Sequence, residues 1–344
     1  MQQVSVVIPV LNAARTLPDC LAALARLDPA PMEILLVDNG STDGSLALLH
    51  AFAGRALPFR VQVLQAAKRG ASAARNAGIR AAAGDIIAFT DADCEPDSEW
   101  VKHLREPFND PAVAAVAGRI AAAPASTALE LFSALYTLKS PRTISRYRRW
   151  TLWEGGFHTA NFAIRRESVI RLGGFDETIR IYGEDYDLCA RVYAVGGEIV
   201  FSPAVKVTHH HRTTVSGMVR QAFGFGRSHP CLLRRHGPPG LWLELPGRVM
   251  HVPRWPVRSC VNVVSADKKV LAIVAAGLLY PPLAGLLIPY GVWLMWRAKE
   301  QAAAERHAVS IGTAGILAGC MLAKSFAITI GRCWGSVRYG VVCL

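Results

Sequence analysis

From the N-terminus to Thr90, short apolar runs alternate with stretches of helical periodicity. Val4–Val10, Glu33–Val37, Arg60–Leu64 and Ile86–Thr90 read as strands; Thr16–Arg26, Thr42–Phe52 and the alanine-rich Ala71–Ala83 read as helices. Continuous apolar runs mark strands buried on both faces, and their alternation with helices predicts an α/β fold, a mostly parallel sheet with flanking helices. In such sheets ligands bind beyond the carboxyl ends of the strands. Polar residues directly after each run therefore carry most weight: Pro9 to Asn12, Asp38 to Asp43, and Asp91-Ala92-Asp93.

The C-terminal part follows a different pattern. From Val270 to Trp296 there is no charged side chain, and a second apolar run spans Val309–Ile330. Each exceeds the roughly 20 residues that cross a bilayer. Lys324 must snorkel or pair, and Pro281, Pro282 and Pro289 kink the first run or turn it back, so two spans and a re-entrant hairpin both remain open. The expected organisation is a catalytic domain over residues 1–230, a basic linker containing Pro and Trp over 231–268, and hydrophobic membrane helices within 269–344.

Composition agrees: 51% of residues are apolar and the mean hydropathy is +0.25. The net charge of +12 is concentrated in Lys139–Arg149 and Lys206–Arg258, ahead of the apolar tail. That placement suits an anionic membrane surface; a solvated basic face is the alternative. No nucleic-acid module accompanies these stretches, so nucleic acid is not an expected partner. Oligomeric state cannot be read. The segment from Met1 to Val10 shows no secretory signal, and the eight cysteines lack CxxC spacing, which points to reduced thiols rather than a disulfide framework or zinc site.

Several clusters carry chemistry. Asp91 and Asp93 point the same way if the chain stays extended, so both can reach one hard cation such as Mg²⁺ or Mn²⁺ on a diphosphate, or one can hold a ribose; turn and helix-cap chemistry is the plainer use. Asp38 could accept from a base N–H, while Asp43 suits a first helical turn. Arg75, followed by Asn76, could reach ribose or phosphates from the same edge. Glu184 and Asp185 open a helical pattern, where a carboxylate can take a proton from a hydroxyl; first-turn electrostatics, with Asp187 pairing to Arg191, would also account for them. Of His209, His210 and His211 after the strand Val205–Thr208, the first and third share a face and could join a metal held by Asp93.

The order of these motifs resembles the family 2 glycosyltransferases with the GT-A fold, over roughly Val4–Arg227. The match runs through Val6-Val7-Ile8-Pro9 and Asn12, Val37 to Asp43, Ala74-Arg75-Asn76-Ala77-Gly78, Asp91-Ala92-Asp93, Gly173 to Glu177 and Gly183-Glu184-Asp185, then His209–Arg227 with Arg212, Thr213, Gly224 and Gly226. The resemblance implies that Pro9, Asn12, Asp38, Arg75, Asn76, Asp91 and Ala92 line a nucleotide-sugar site, with Asp38 at the base and Asp91 by the ribose. It implies Asp93 as ligand to Mn²⁺ or Mg²⁺, with His209 or, in its place, His211. Asp185 would be the catalytic base and Glu184 would orient the acceptor.

The implied activity is inverting transfer from a nucleotide-diphosphate sugar, UDP preferred, to a hydroxyl on a membrane lipid or lipid-linked acceptor in glycan synthesis. A soluble peptide or small-molecule acceptor is the alternative, and a non-catalytic membrane scaffold is the alternative of another class. Cytosolic sugar nucleotides place the catalytic domain in the cytoplasm at the inner or plasma membrane. Lys268-Lys269 agree with that orientation, whereas Arg297, Lys299 and Arg306 between the apolar runs oppose a simple two-span topology.

Overall fold

The computed structural model describes residues 2–137, 140–151, 154–179, 182–211 and 214–344. Arg212, Thr213 and Lys139, named above, lie outside them. The chain forms two compact units: Met1–Ala123 with Leu138–His211, and Pro124–Thr137 with Arg212–Leu344.

In chain order the elements of the first unit begin β1 (Val4–Val10), α1 (Leu17–Leu24), β2 (Glu33–Asp38), α2 (Ser45–Ala53), β3 (Arg60–Gln65), α3 (Ala71–Ala81), β4 (Ile86–Thr90), β5 (Cys94–Pro96), α4 (Trp100–Arg105) and β6 (Val113–Ala122). Helix α5 (Ala128–Tyr136) belongs to the second unit. The first unit resumes with β7 (Ser145–Tyr147), β8 (Asn161–Arg165), α6 (Arg166–Arg171), α7 (Glu184–Ala194) and β9 (Glu198–His209). The sheet order is β3-β2-β1-β4-β8-β6-β9-β5, with β7 paired to β9. Strands β1 to β4 are parallel, as expected; β8 runs antiparallel between β4 and β6, making the sheet mixed.

Alternate residues of the central strands feed two cores. Val6, Ile8, Ile34, Leu36 and Ala88 pack on α1, α2 and α4, whereas Val7, Leu35, Val37, Ile87 and Phe89 pack on α3, α6 and α7. Helix α2 starts later than expected because Gly44 adopts φ +87° as its N-cap, and Asp43, ahead of the helix rather than in its first turn, accepts from Ser45 N–H at 3.1 Å and from Ser45 Oγ. β9 is longer than the expected Val205–Thr208 because its first half also pairs with β6.

Between those halves β9 carries Pro203, Ala204 and Val205 opposite the step from Gly118 to Arg119. Asn161, 1% exposed, holds this irregularity. Its Nδ2 donates to the carbonyls of Arg119 and Val205, both at 2.9 Å, and its Oδ1 accepts from Trp100 Nε1 at 2.8 Å.

The second unit continues with α8 (Val215–His236), β10 (Leu241–Leu245), β11 (Arg248–Val252), β12 (Ser259–Asn262), α9 (Ala266–Leu279), a 3₁₀ segment Pro281–Leu286, α10 (Leu287–Ala304), α11 (Ile311–Tyr339) and β13 (Val342–Cys343). A boundary at residue 230 would cut α8, a continuous helix seated on α11. Glycines allow the two helix backbones to meet: a Cβ on Gly226 would lie 2.1 Å from the Ile328 carbonyl oxygen, and one on Gly331 would lie 2.3 Å from that of Phe223. Such close approach of small residues is common between apolar helices.

The run Val270–Trp296 is not one helix. It breaks at Tyr280, and prolines 281 and 282 supply no N–H to continue the ladder. The turn is tight, since a Cβ on Gly277 would lie 2.9 Å from that of Ala284. Among the described residues one helix, α11 with 29 residues, is long and apolar enough to cross a membrane. Lys324 within it donates to the Tyr136 carbonyl at 2.6 Å and to Thr137 Oγ1 at 3.1 Å, at the C-terminal end of α5.

Replacing Asn161 by Leu would strand the Trp100 N–H and two carbonyls, each costing about 1–3 kcal/mol when buried without a partner. We expect Asn161→Leu to lower the thermal midpoint of the full-length protein in detergent by several degrees. An unchanged midpoint would show that the Asn161 bonds do not stabilise the fold.

Candidate active site at the strand ends

The sheet directs one set of ends to a common edge. β1, β2 and β4 finish there; antiparallel β8 begins there, with Asn161 opposite Thr90; and the end of β9 reaches β5, with His209 opposite Cys94. Asn12, just past β1, has φ +50°, a left-handed conformation that Asn tolerates. Its Oδ1 accepts from Thr42 N–H at 2.8 Å and its own N–H donates to Ser41 Oγ at 3.0 Å, so the loops after β1 and β2 are tied together. Pro9 lies within β1, beside Val37, and Ala92 is buried with its carbonyl accepting from Thr16 Oγ1 at 3.1 Å.

The expectation for Asp38 is contact with a base N–H. Its buried carboxylate accepts from the N–H groups of Gly40 at 3.0 Å and Ser41 at 3.3 Å, which closes the turn of its own loop. Asn39 links this loop to α3: its Nδ2 donates to the Lys68 carbonyl at 2.8 Å, and its Oδ1 accepts from Gly70 N–H at 2.7 Å.

Arg75 and Asn76 both have partners within the protein. Arg75, with its side chain 5% exposed, does not extend along an open edge; Nη2 meets Asp91 Oδ1 at 3.0 Å and Nη1 meets Glu184 Oε1 at 2.9 Å. A guanidinium this buried requires anionic partners, and the carboxylates at the end of β4 and the start of α7 supply them. Asn76 is likewise committed: its Oδ1 accepts from Phe175 N–H at 2.8 Å while Nδ2 donates to the Phe175 carbonyl at 2.9 Å and to Glu177 at 3.1 Å. Its amide clamps the segment before α7. Burial, reinforced by Asp185 next door, holds the Glu184 carboxyl above the usual carboxylate range, against the opposing pull of Arg75.

Asp93, Cys94 and His209 form a group whose ligand atoms all lie within 4.8 Å of one another. Asp93 Oδ2 and His209 Nε2 are 3.6 Å apart, and the Asp93 side chain is open to solvent. Adjacent ligands of an octahedral ion with bonds of about 2.1 Å lie about 3 Å apart, so a small side-chain adjustment would let these two atoms share one Mg²⁺ or Mn²⁺. Among the described residues the buried His209 Nδ1 has no hydrogen-bond partner. Burial and the nearby Asp93 and Asp91 push the Cys94 thiol well up, and a soft sulfur suits Mg²⁺ or Mn²⁺ less well than the oxygen of Asp93 and the nitrogen of His209. His211 is not in this trio; its ring packs against that of His209, centroids 4.9 Å apart. His210 turns away to Glu95 Oε1 at 2.6 Å.

At the start of α7, Gly183 has φ +100° and Asp185 Oδ1 accepts from Tyr186 N–H at 2.9 Å. Asp185 Oδ2 meets His158 Nδ1 at 3.2 Å. Asp187 is a helix-pairing residue, bonded to Arg191 at 2.8 Å. Sequence reasoning misses His158, which precedes β8. Only the antiparallel direction of β8 brings that N-terminal end to the edge where the other strands finish. His158 and Tyr186 line a cavity of about 480 Å³ that also involves Gly118, Tyr147, Glu154 and Phe157.

Known proteins are similar to this chain in sequence and in fold. Residues 5–173 match the model of glycosyl transferase family 2, and residues 140–226 match one described as the N-terminal domain of galactosyltransferase. The chain is 31% identical over 239 residues to pre-mycofactocin glycosyltransferase of Mycobacterium tuberculosis, covering 68% of this chain and 48% of that protein. It is 30% identical over 183 residues to undecaprenyl-phosphate 4-deoxy-4-formamido-L-arabinose transferase of Pseudomonas syringae, covering 52% and 47%. The chain thus spans about half the length of these curated relatives. In structure it is similar to the mannosyltransferase PcManGT of Pyrobaculum calidifontis, solved in complex with GDP-Man and Mn²⁺, with TM-score 0.56 and 21% identity over 97% of this chain and 87% of that one. The mixed sheet is the GT-A fold that the motif order implied, and the chain belongs to glycosyl transferase family 2.

Proposed function

We propose that the protein is an inverting, metal-dependent transferase that moves a sugar from a nucleotide-diphosphate donor, UDP preferred, to a hydroxyl of a membrane-presented acceptor. The observation that carries this reading is the convergence of Asp91, Asp93, His209 and Asp185 on the strand-end edge of one sheet. Asp93 and His209 would hold a Mn²⁺ or Mg²⁺ ion. When bound, the ion supplies positive charge that stabilises the departing nucleotide diphosphate. Asp91, fixed by Arg75, would receive the ribose, and the Asn12, Asp38 and Asn39 loops would frame the nucleotide. Asp185 takes the proton of the acceptor hydroxyl; the oxygen bonds to the anomeric carbon as its bond to the diphosphate breaks, and the electron pair leaves with the nucleotide diphosphate. Attack from the face opposite the leaving group inverts the configuration.

A divalent ion is further supported by the neighbour PcManGT, whose structure holds Mn²⁺ with GDP-mannose. A lipid-linked acceptor is supported by the undecaprenyl-phosphate transferase among the relatives. The second unit adds a physical reason. Leu278, Leu279, Ile288 and Val337 are each more than 70% exposed, and Trp293, Trp296 and Trp334 are also exposed. Apolar surface on this scale, together with α11, suits contact with lipid. The proposed localisation is the inner or plasma membrane with the catalytic domain in the cytoplasm.

Donor binding tests the metal site. Calorimetry of the full-length protein in detergent should show a nucleoside diphosphate binding at least about tenfold more tightly with Mn²⁺ than with chelator. Asp93→Ala should abolish this difference and His209→Ala should reduce it; binding indifferent to Mn²⁺ would overturn the assignment. For the membrane reading, the full-length protein should stay in the membrane fraction through washes in high salt and in alkaline carbonate, and be released by detergent. Release by salt alone would reduce the attachment to electrostatics.

A further inference from the structure

The pair formed by His158 and Asp185 is the feature that the proposed reaction does not yet use. Asp185 Oδ1 is held by the Tyr186 N–H at 2.9 Å and Oδ2 by His158 Nδ1 at 3.2 Å. The His158 ring is in turn packed against the Tyr186 ring, with centroids 5.4 Å apart and planes tilted by 57°. His158 is held at the N-terminal side of β8, whose first residue is the clamped Asn161. Both His158 and Tyr186 line the cavity of about 480 Å³, which falls in the size range of small-ligand sites. His158, which bonds the Asp185 carboxylate, and Tyr186, the residue after Asp185, both belong to that lining, so the carboxylate is adjacent to the cavity.

We propose that His158 is a positioning residue of the transfer step: its Nδ1–H anchors Asp185 Oδ2 so that the remaining lone pairs of the carboxylate keep one orientation toward an acceptor hydroxyl. The proposal rests on Asp185 being the base. A carboxylate accepts but cannot donate, so an anionic Asp185 selects the His158 form with a proton on Nδ1. The proton taken from the acceptor goes to Asp185, and His158 neither gains nor loses one in the step. The role resembles that of outer partners at metal and catalytic sites, which orient the reacting group without touching the substrate. Loss of such an anchor leaves the donor site intact but lets the base rotate, and misplacement by about 1 Å can cost on the order of 100-fold in rate.

Geometry gives the variants opposite outcomes. An Asn side chain can place an N–H donor where His158 Nδ1 lies; a Gln places its donor nearer the position of Nε2. The experiment measures nucleotide-diphosphate release by the full-length protein in detergent with Mn²⁺, from whichever of UDP-glucose, UDP-galactose, UDP-N-acetylglucosamine and GDP-mannose wild type uses. His158→Ala is expected to lower kcat about 10–100-fold with the donor KM changed less than about twofold. His158→Asn should recover most of kcat, and His158→Gln should not.

Equal losses in the Asn and Gln variants, or an unchanged kcat in His158→Ala, would overturn the proposal. Asp185→Asn separates this from the reading beneath it: turnover that survives Asp185→Asn removes the base assignment itself, whereas turnover lost there but kept in His158→Ala removes only the role of His158. A readout independent of turnover is the ¹⁵N spectrum of the histidine rings in the full-length protein, with the His158 signal assigned by its loss in His158→Asn. A protonated Nδ1 that changes on Asp185→Ala is expected; a ring protonated on Nε2 alone would contradict the anchor.

Discussion

The buried guanidinium of Arg75 is the contact on which the arrangement of the site depends. It joins three pieces of chain that are far apart in sequence: α3, the end of β4 at Asp91, and the first residue of α7 at Glu184. Two carboxylates brought this close repel each other, and burying Glu184 beside Asp185 already penalises its charged form. A single cation between Asp91 and Glu184 offsets both effects. Removing one partner of a fully buried pair costs about 3–5 kcal/mol, less where a carboxylate such as Asp91 keeps some solvent. The ion pair therefore sets the separation between the end of β4, which carries Asp91 and Asp93, and the start of α7, which carries Glu184 and Asp185. Phe175, over which the guanidinium lies at 5.6 Å, and Asn76, which clamps the Phe175 backbone, extend the same brace to the segment before α7.

Much of this is legible in the sequence because the cause is local. Apolar runs such as Val4–Val10 and Ile86–Thr90 can only be buried strands, and the parallel crossover rule then fixes which ends of those strands meet. The pattern of apolar and polar positions is enough to place Asp38, Asp91 and Asp93 at one edge. The long-range partners are not legible. Arg75 reads as an edge residue because nothing within its own helix indicates that two carboxylates, one from each of two other elements, enclose it. His158 escapes notice for a related reason: it lies at the start of a strand, and only the antiparallel insertion of β8 between β4 and β6 turns that start toward the site.

The apolar C-terminal part shows the limit of hydropathy as a guide. An uncharged stretch from Val270 to Trp296 is long enough to span, yet consecutive prolines divide it, and among the described residues α11 is the helix with both the length and the composition. Several polar groups in this unit are matched to one another. Asp267, fully buried, accepts from Ser325 Oγ and from Thr329 Oγ1 and is paired with Lys268 at 2.9 Å, while Lys324 caps α5. Pairing of this kind lets an apolar surface carry ionisable residues without exposing them to lipid.

The most direct measurement is release of nucleotide diphosphate from a panel of sugar nucleotides by the full-length protein in detergent, with membrane lipid extract as the acceptor source, comparing wild type with Asp185→Asn and Asp93→Ala. Turnover of one donor by wild type, lost in both variants while Asp185→Asn still binds that donor, is the expected result. Turnover that persists undiminished in either variant would contradict the convergence of base and metal ligand on this strand-end site.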